Sequence, residues 1–119
     1  VYKRHPFLYD YPATQCALAR IRDDEVAERF ELYDRGIELC NGYHELTDPD
    51  ELTRRTQTER AIRRANAHPD LPGAPQLEAA MREGLPPCSG VAMGFDRLTM
   101  LALGKTRIDE VTAFPIDRA

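Results

Sequence analysis

The 119-residue sequence predicts an α+β fold in which helices flank an antiparallel sheet. Three observations support this class: a hairpin pattern early in the chain, two helix-forming segments with clear starts and ends, and a glycine-rich strand that leads directly into an apolar helix. A chain of this length with 42% hydrophobic residues can bury one core, so we expect one domain or one piece of a larger domain.

The first predicted strand covers residues 7–11, a short aromatic run that Pro12 ends. Residues 28–33 and 37–40 alternate polar with apolar side chains, and the turn-forming residues 34–36 lie between them. The sequence therefore predicts a β-hairpin.

Two helices are expected in the middle of the chain. Asp48 before Pro49 is a strong helix start, and the helix is expected to run to about Ala67. Acids precede arginines by four residues in Asp50/Arg54, Glu51/Arg55 and Glu59/Arg63. We expect a solvated face, with a protein or RNA contact as the alternative, at Arg54, Arg55, Arg60, Arg63 and Arg64. A loop over residues 68–75 then leads to a short helix over residues 76–83.

Residues 90–97 alternate small and large side chains and end in an acid–arginine pair. Because successive strand side chains point to opposite faces, one face of this strand is almost flat. That flat face consists of Gly90, Ala92 and Gly94. The core is expected to include Phe30, Leu32, Val91, Met93 and Phe95. The helix that follows is expected to carry Leu98, Leu101 and Ala102 on one face and to end at Gly104. Arg97 can meet the negative charge of a ligand or, alternatively, pair with nearby Asp96.

Composition excludes several classes of protein. A net charge of -4 argues against a non-specific nucleic-acid binder. No apolar run approaches the roughly 20 residues that a membrane span needs, and no signal-peptide core follows residues 1–6, so we expect a cytoplasmic protein. The three cysteines, Cys16, Cys40 and Cys88, lack metal-ligand spacing and are expected to be buried thiols.

Glu38 and Glu45 form the second cluster of chemical interest. Seven residues of straight strand would hold them roughly 23 Å apart and on opposite faces. A bend at Asn41–Gly42 would let the two carboxylates converge and bind Mg²⁺ together with substrate phosphates. The alternative is a second hairpin that carries surface acids.

Two separated motifs resemble a known family. Residues 38–48 (ELCNGYHELTD) followed by residues 90–97 (GVAMGFDR) resemble the carboxy-terminal part of the class II lysyl-tRNA synthetase catalytic domain, with residues 90–97 as its motif 3. Residues 10–15 and 88–92, with the HELTD run, most resemble the truncated branch that ligates (R)-β-lysine to elongation factor P. The resemblance covers about residues 7–119.

The resemblance implies a nucleotide site. Glu38 would bind ATP and its Mg²⁺, and the Leu39 backbone would lie beside the adenine nucleotide. Gly94 would let the nucleotide approach the backbone, and Arg97 would contact the adenine face or the γ-phosphate. Glu38 and Arg97 would thus be the catalytic residues of this half.

The resemblance also implies an amino acid site. Glu45 would hold the substrate ammonium and share the metal, and Asn41 and Tyr43 would line the same pocket. Ala92 stands where lysyl-tRNA synthetases carry glycine. The added methyl narrows the flat face, which predicts an altered amino acid substrate.

The implied activity is ATP-dependent activation of a lysine-type amino acid as an acyl-adenylate, followed by ligation to a lysine of elongation factor P. The alternatives are a lysyl-tRNA synthetase acting on tRNA-Lys and a non-catalytic synthetase paralogue. In this family motifs 1 and 2 would lie upstream of Val1. Residues 1–119 are therefore expected to be the carboxy-terminal part of one catalytic domain, inactive alone and homodimeric at full length.

Overall fold

The computed structural model describes residues 5–116 and residue 118, so residues 1–4, 117 and 119 of the expected domain lie outside the described residues. The strands are β1 (Phe7–Pro12), β2 (Ile21–Arg22), β3 (Val26–Asp34), β4 (Ile37–His44) and β5 (Ser89–Met93). The helices are α1 (Pro49–Ala65), α2 (Pro75–Arg82) and α3 (Phe95–Ala102), and short 3-10 turns lie at Ala13–Gln15 and Ile108–Glu110.

In the described part of the chain, the strands form one five-stranded antiparallel sheet. Its order is β1-β3-β4-β5, and the short β2 pairs with the start of β3 on the edge opposite β1, beyond the end of β4. The predicted hairpin is confirmed as β3 and β4, joined by Arg35 and Gly36, which both have positive φ as a tight two-residue hairpin turn requires. The sheet and its flanking helices confirm the predicted α+β class.

Helix α1 begins as the sequence predicts. The Asp48 side chain accepts hydrogen bonds from the backbone N–H groups of Asp50 and Glu51, which caps the helix, and Pro49 occupies its first turn. The helix packs on α2, and the two helices bury a small apolar cluster of Leu46, Leu52 and Met81. This packing holds the segment after β4 against the helical part of the molecule.

One arginine of α1 contradicts the expected solvated face. The Arg55 side chain is only 14% exposed and forms an ion pair with Glu51 at 2.6 Å. It also donates hydrogen bonds to the carbonyl oxygens of Ala17 and Ala19, at 3.0 and 2.8 Å. The expected solvated face was based on the spacing of residues along the helix. That spacing does not show that carbonyl oxygens of the loop between β1 and β2 accept hydrogen bonds from Arg55. Arg55 therefore ties α1 to that loop.

The apolar face of β5 is a second correction. Val91, Met93 and Phe95 are 60%, 52% and 76% exposed, and Phe30 and Leu32 are only partly buried. In the described part of the chain, the large side chains of β5 occupy a sheet face that remains open to solvent. The alternation of small and large side chains correctly predicted that Val91 and Met93 share one face. It did not determine whether another layer of the protein covers that face.

Helix α3 buries a residue outside the apolar face that the sequence predicted. Met100 is the buried side chain of α3, whereas Leu98 and Ala102 are exposed and Leu101 is partly buried. The expected stop at Gly104 is consistent with its positive φ of 64°. The position of α3 at the end of β5 brings its first turn towards β4.

The remaining sequence expectations concern cysteines and membrane spans. Cys40 is buried as expected, whereas Cys16 and Cys88 are partly buried, and the three are free thiols. Among residues 5–116 and 118, no group of three or more His, Cys, Asp or Glu side chains is placed to hold a metal ion. None of the helices in this part has both the length and the apolar character needed to cross a membrane.

Candidate functional site

A bulge in β4 determines which face of the sheet carries Glu38. Leu32 pairs with Cys40, but the next residue, Tyr33, pairs with Glu38, so Leu39 is an extra residue in β4. In an uninterrupted strand, Glu38 would lie on the face opposite Asn41, because their separation is odd. The bulge reverses this alternation and turns Glu38 to the same face as Asn41.

The expected bend at Asn41–Gly42 is wrong. Both residues lie inside the continuous strand β4 and pair with β3 on one side and β5 on the other. A Cβ on Gly42 would overlap the Phe30 ring, so this glycine admits a close aromatic contact instead of a bend. Glu38 and Glu45 therefore lie at opposite ends of β4, about 20 Å apart along the strand.

Arg97 connects α3 to the start of β4. Its Nη1 donates to the backbone carbonyl oxygen of Glu38 at 2.8 Å and lies 3.8 Å from the Glu38 carboxylate. The Arg97 side chain lies over Gly94, where an added Cβ would approach Cδ of Arg97 to 3.2 Å. Gly94 in turn donates its N–H to the Leu39 carbonyl oxygen at 2.9 Å. The structure thus brings together the four residues predicted for nucleotide binding.

The other end of β4 carries the residues predicted for amino acid binding. Tyr43 pairs with Gly90, and a Cβ on Gly90 would collide with the Glu45 carboxylate. Asn41 pairs with Ala92, and the Asn41 Oδ1 atom is buried without a hydrogen-bond partner among the described residues. These side chains form a second group along the same face of the sheet.

A charged cluster around the buried Glu31 lies beside both groups and was not predicted from the sequence. Glu31 is only 4% exposed. The hydroxyl groups of Tyr11 and Tyr33 each donate to its Oε2 at 2.6 Å, and Arg29 forms an ion pair with its Oε1. Glu31 pairs with Asn41 across the sheet, so the cluster shares the face of the predicted site.

The protonation of this cluster follows from its contacts. Burial alone would raise the pKa of Glu31, but hydrogen bonds from Tyr11, Tyr33 and Arg29 outweigh it and lower the pKa. Burial, followed by the hydrogen bond to Glu31, raises the pKa of Tyr11. The hydrogen bond to Glu31 is the first cause of a raised pKa at Tyr33. The cluster thus combines one carboxylate and one guanidinium with two neutral phenols.

The available sequence signal for this cluster was the alternation over residues 28–33. Arg29, Glu31 and Tyr33 occupy every second position, a pattern that favours a solvated polar face. The structure shows that these polar groups are instead paired with one another and with Tyr11 of β1. The alternation predicted that Arg29, Glu31 and Tyr33 share one face. It could not predict their contact with Tyr11, because Tyr11 lies on another strand.

A large cavity lies away from these side chains. It has a volume of about 860 Å³ and is bounded by the loop after β1, by α1 and by the loop before α2. Its lining includes Cys16, Leu52 and Leu77 but none of the eight predicted site residues. A smaller cavity of about 170 Å³ is lined in part by Leu39 and Arg97. If the site were chosen by cavity size alone, the larger cavity would be selected, and it contains none of the predicted site residues.

Comparison with known proteins gives consistent results. The family described as tRNA synthetases class II (D, K and N) matches residues 3–118. An elongation factor P–(R)-β-lysine ligase of Klebsiella pneumoniae is 52% identical over 118 residues, covering 98% of this chain and 36% of the relative. The proteins of that name from Vibrio cholerae and Yersinia enterocolitica are 52% and 50% identical over 115 residues, covering 95% of this chain. The chain spans about a third of the length of these relatives.

Proposed function

The chain belongs to the class II tRNA synthetases (D, K and N), and we propose that it forms the carboxy-terminal part of a catalytic domain that activates a lysine-type amino acid with ATP. The observation that carries this proposal is the arrangement along β4: Arg97 of α3 contacts Glu38 at the start of the strand, and Glu45 follows the end of the strand. A nucleotide needs a positively charged contact for its phosphates, and a cationic amino acid needs a separate, negatively charged contact for its ammonium group.

The acceptor proposal rests on the similar proteins. Each of the relatives described above is named as a ligase of (R)-β-lysine to elongation factor P. We therefore propose that the full-length protein transfers its activated amino acid to a lysine of elongation factor P. Because that acceptor takes part in translation, the reaction is proposed to occur in the cytoplasm.

For the nucleotide, we propose contacts from Arg97, Glu38, Leu39 and Gly94. Arginine is permanently charged and planar, so it can stack on an adenine or bind phosphate oxygens with two donors. Gly94 leaves the backbone at the start of α3 uncovered by a side chain, and Arg97 already lies over it. The donor set therefore fits a bound ATP.

Glu38 also fits a magnesium ion that arrives with the nucleotide. Mg²⁺ is usually held by one or two carboxylates together with substrate phosphates and water. The Glu38 carboxylate is partly exposed and is 3.8 Å from Arg97 Nη1, so it can serve as that ligand. When bound, Mg²⁺ neutralises charge on the phosphates. The separation of about 20 Å along β4 does not favour the ion shared with Glu45 that the sequence suggested.

For the amino acid, we propose that the Glu45 carboxylate binds an ammonium group of the substrate. Asn41 and Tyr43 would line the same pocket, and the unpartnered Asn41 Oδ1 can accept a hydrogen bond from an ammonium. Ala92 lies opposite Asn41, so its methyl group is placed to limit the shape of the substrate.

The proposed reaction has two steps. A carboxylate oxygen of the amino acid attacks the α-phosphorus of ATP, which forms the acyl-adenylate and releases pyrophosphate. The amine of an acceptor lysine then attacks the acyl carbon, which forms an amide, releases AMP and loses a proton to solvent. The residues of this chain hold the two substrates and stabilise charge on the phosphates, as Arg97 does.

The expected homodimer also remains a proposal for the full-length protein. Val91 and Met93 of β5 are exposed among the described residues, and apolar side chains exposed together often contact another surface, which would be the rest of the full-length chain or a second copy. Light scattering of the full-length protein after size-exclusion chromatography tests this proposal. A mass of twice the chain mass is expected, and a monomer would contradict it.

ATP–pyrophosphate exchange by the full-length protein tests the proposed activity. α-Lysine and (R)-β-lysine are offered separately, with Glu45→Gln as the variant that should lose exchange and Arg54→Gln, on the solvated side of α1, as the matched control. Preference for (R)-β-lysine supports the ligase. Preference for α-lysine favours a lysyl-tRNA synthetase, and exchange with neither favours a non-catalytic paralogue.

A further inference from the structure

Arg29 lies at the junction of three parts of the candidate site. On β3 it pairs with Tyr43, near the end of β4 that directly precedes Glu45. Its guanidinium carbon is 4.5 Å from the Tyr11 ring centre and 6.0 Å from the Tyr43 ring centre. One cation thus contacts β1 and β4 through their aromatic rings.

The nitrogens of Arg29 make equally specific contacts. Nη2 forms the ion pair with Glu31, and Nη1 donates to the backbone carbonyl oxygen of Gln15 at 2.9 Å. The Nε atom is buried without a partner among the described residues. The Arg29 side chain is only 18% exposed, and its partly buried ion pair with Glu31 is stronger than that of a surface arginine, whereas the Gln15 contact lies at an exposed position.

The Gln15 contact links Arg29 to Glu45 by a second route. Gln15 belongs to the loop after β1, and the far end of this loop returns to the sheet where Ala19 bridges Glu45. Leu46, next to Glu45, donates its N–H to the Leu18 carbonyl oxygen at 2.8 Å. Arg29 therefore supports the surroundings of Glu45 from the Tyr43 side and from the loop side.

The charge of Arg29 would oppose ammonium binding if it stood alone. Glu31 neutralises it, since the two groups form a buried ion pair and the pKa of Glu31 is lowered by its hydrogen bonds, including the one from Arg29. At this end of the sheet Glu28 is paired with His44, and among the described residues the Glu45 carboxylate takes part in no ion pair. Arg29 can hold the pocket walls without repelling a cationic substrate.

We propose that Arg29 is a positioning residue for the amino acid site, which fixes the Tyr43 ring and the loop that reaches Glu45. This inference rests on the proposed function. Lysine cannot replace arginine in this role, because a compact ammonium lacks the planar surface that faces the two rings and cannot match the forked geometry of the guanidinium.

The test compares Arg29→Lys with Arg29→Met in the full-length protein by ATP–pyrophosphate exchange. Arg29→Met removes the charge and leaves the buried Glu31 carboxylate unpaired, so this variant can fail to fold. Arg29→Lys keeps a positive charge beside Glu31 and therefore tests the positioning role separately from folding. Arg54→Lys, at an exposed arginine of α1, is the matched control. Exchange by the unsubstituted protein is measured first, and its absence would contradict the proposed function itself.

For Arg29→Lys we expect the KM for the amino acid to rise about tenfold, the size expected from losing a shielded cation–ring contact and one hydrogen bond. The KM for ATP should stay within about twofold, because Arg29 does not contact Arg97 or Glu38. A change in both KM values by the same factor, or an unchanged KM for the amino acid, would overturn the proposal.

Discussion

Arg97 donates a hydrogen bond to the backbone carbonyl of Glu38 at 2.8 Å, although 59 positions separate the two residues in the chain. This contact joins α3 to β4, which carries Glu38 and directly precedes Glu45. It also keeps the guanidinium 3.8 Å from the Glu38 side chain, a spacing at which a phosphate can be contacted by the arginine while the carboxylate holds a cation.

Arg97→Lys should raise the KM for ATP about tenfold or more. Lysine keeps the charge but loses the planar fork, and a hydrogen bond from a charged group contributes about 1.5–3 kcal/mol. Steady-state exchange kinetics at saturating amino acid measure this effect, with Arg54→Lys as the control. A KM for ATP within twofold of the unsubstituted value would contradict the proposed role.

Gly90→Ala should weaken binding of the amino acid and leave ATP binding intact. The added Cβ would collide with the Glu45 carboxylate, which is the far end of a flexible side chain and can move aside. Displacing a binding group by about 1 Å can cost on the order of a hundredfold in activity, so we expect a rise of tenfold or more in the KM for the amino acid.

Gly73→Ala is the matched control for this change, because an added Cβ there meets nothing within 4 Å. Isothermal titration with the amino acid and, separately, with an ATP analogue distinguishes the two sites. Equal affinity of Gly90→Ala and Gly73→Ala for the amino acid would show that Glu45 does not bind it.

Ala92→Gly should shift the substrate preference towards α-lysine. Ala92 pairs with Asn41 on the proposed substrate face, and removing its methyl group widens that face. One methylene in a pocket is worth about tenfold or more in discrimination, so the ratio of kcat/KM for α-lysine to that for (R)-β-lysine should rise by about this factor. The ratio does not depend on how much of the variant is folded, and an unchanged ratio would refute the prediction.

Acid should destabilise the protein partly through Glu31. Hydrogen bonds lower the pKa of this carboxyl below its usual 4.5, so its ionised form stabilises the fold above that pH. The stabilisation should be lost as the pH falls from 4.5 through the lowered pKa. Thermal midpoints by circular dichroism at pH 7 to 3 should fall more steeply for the unsubstituted protein than for Glu31→Gln, and parallel curves would exclude this effect.

Alkali should act on the same cluster with the opposite sign. Burial and the hydrogen bond to Glu31 raise the pKa of Tyr11 above 10, so its neutral form stabilises the fold below pH 10. The stabilisation should decline as the pH rises above 10, where the unfolded chain loses the proton first. The advantage in thermal midpoint over Tyr11→Phe should therefore be larger at pH 8 than at pH 11, and a constant difference would contradict this prediction.

The elements that the sequence predicted correctly depend on close neighbours. The turn at Arg35–Gly36 needs two positive φ angles, and the cap of α1 needs only Asp48 and the following N–H groups. The predicted core of β5 was wrong, because Val91 and Met93 depend on a covering layer that is not encoded in strand alternation.

The candidate site divides in the same way. Residue type and order, together with the family resemblance, predicted functional roles for Glu38, Glu45 and Arg97. Their placement on one face required the bulge at Leu39, which exists only once β4 pairs with β3. The role of Arg29 was not predicted from the sequence, because the groups that it contacts lie on β1, on the loop after β1 and on β4.

By itself, therefore, the sequence determined the hairpin, the start of α1, the flat face at Gly90 and the family to which the chain belongs. Those features arise from local conformational preferences and from residue identity, which need no distant contact. Only the tertiary structure decided that Glu38 and Glu45 share a face without meeting, and that Arg29 pairs with the buried Glu31. Strand register and long-range pairing control these outcomes, since a shift of one residue turns every side chain to the other face.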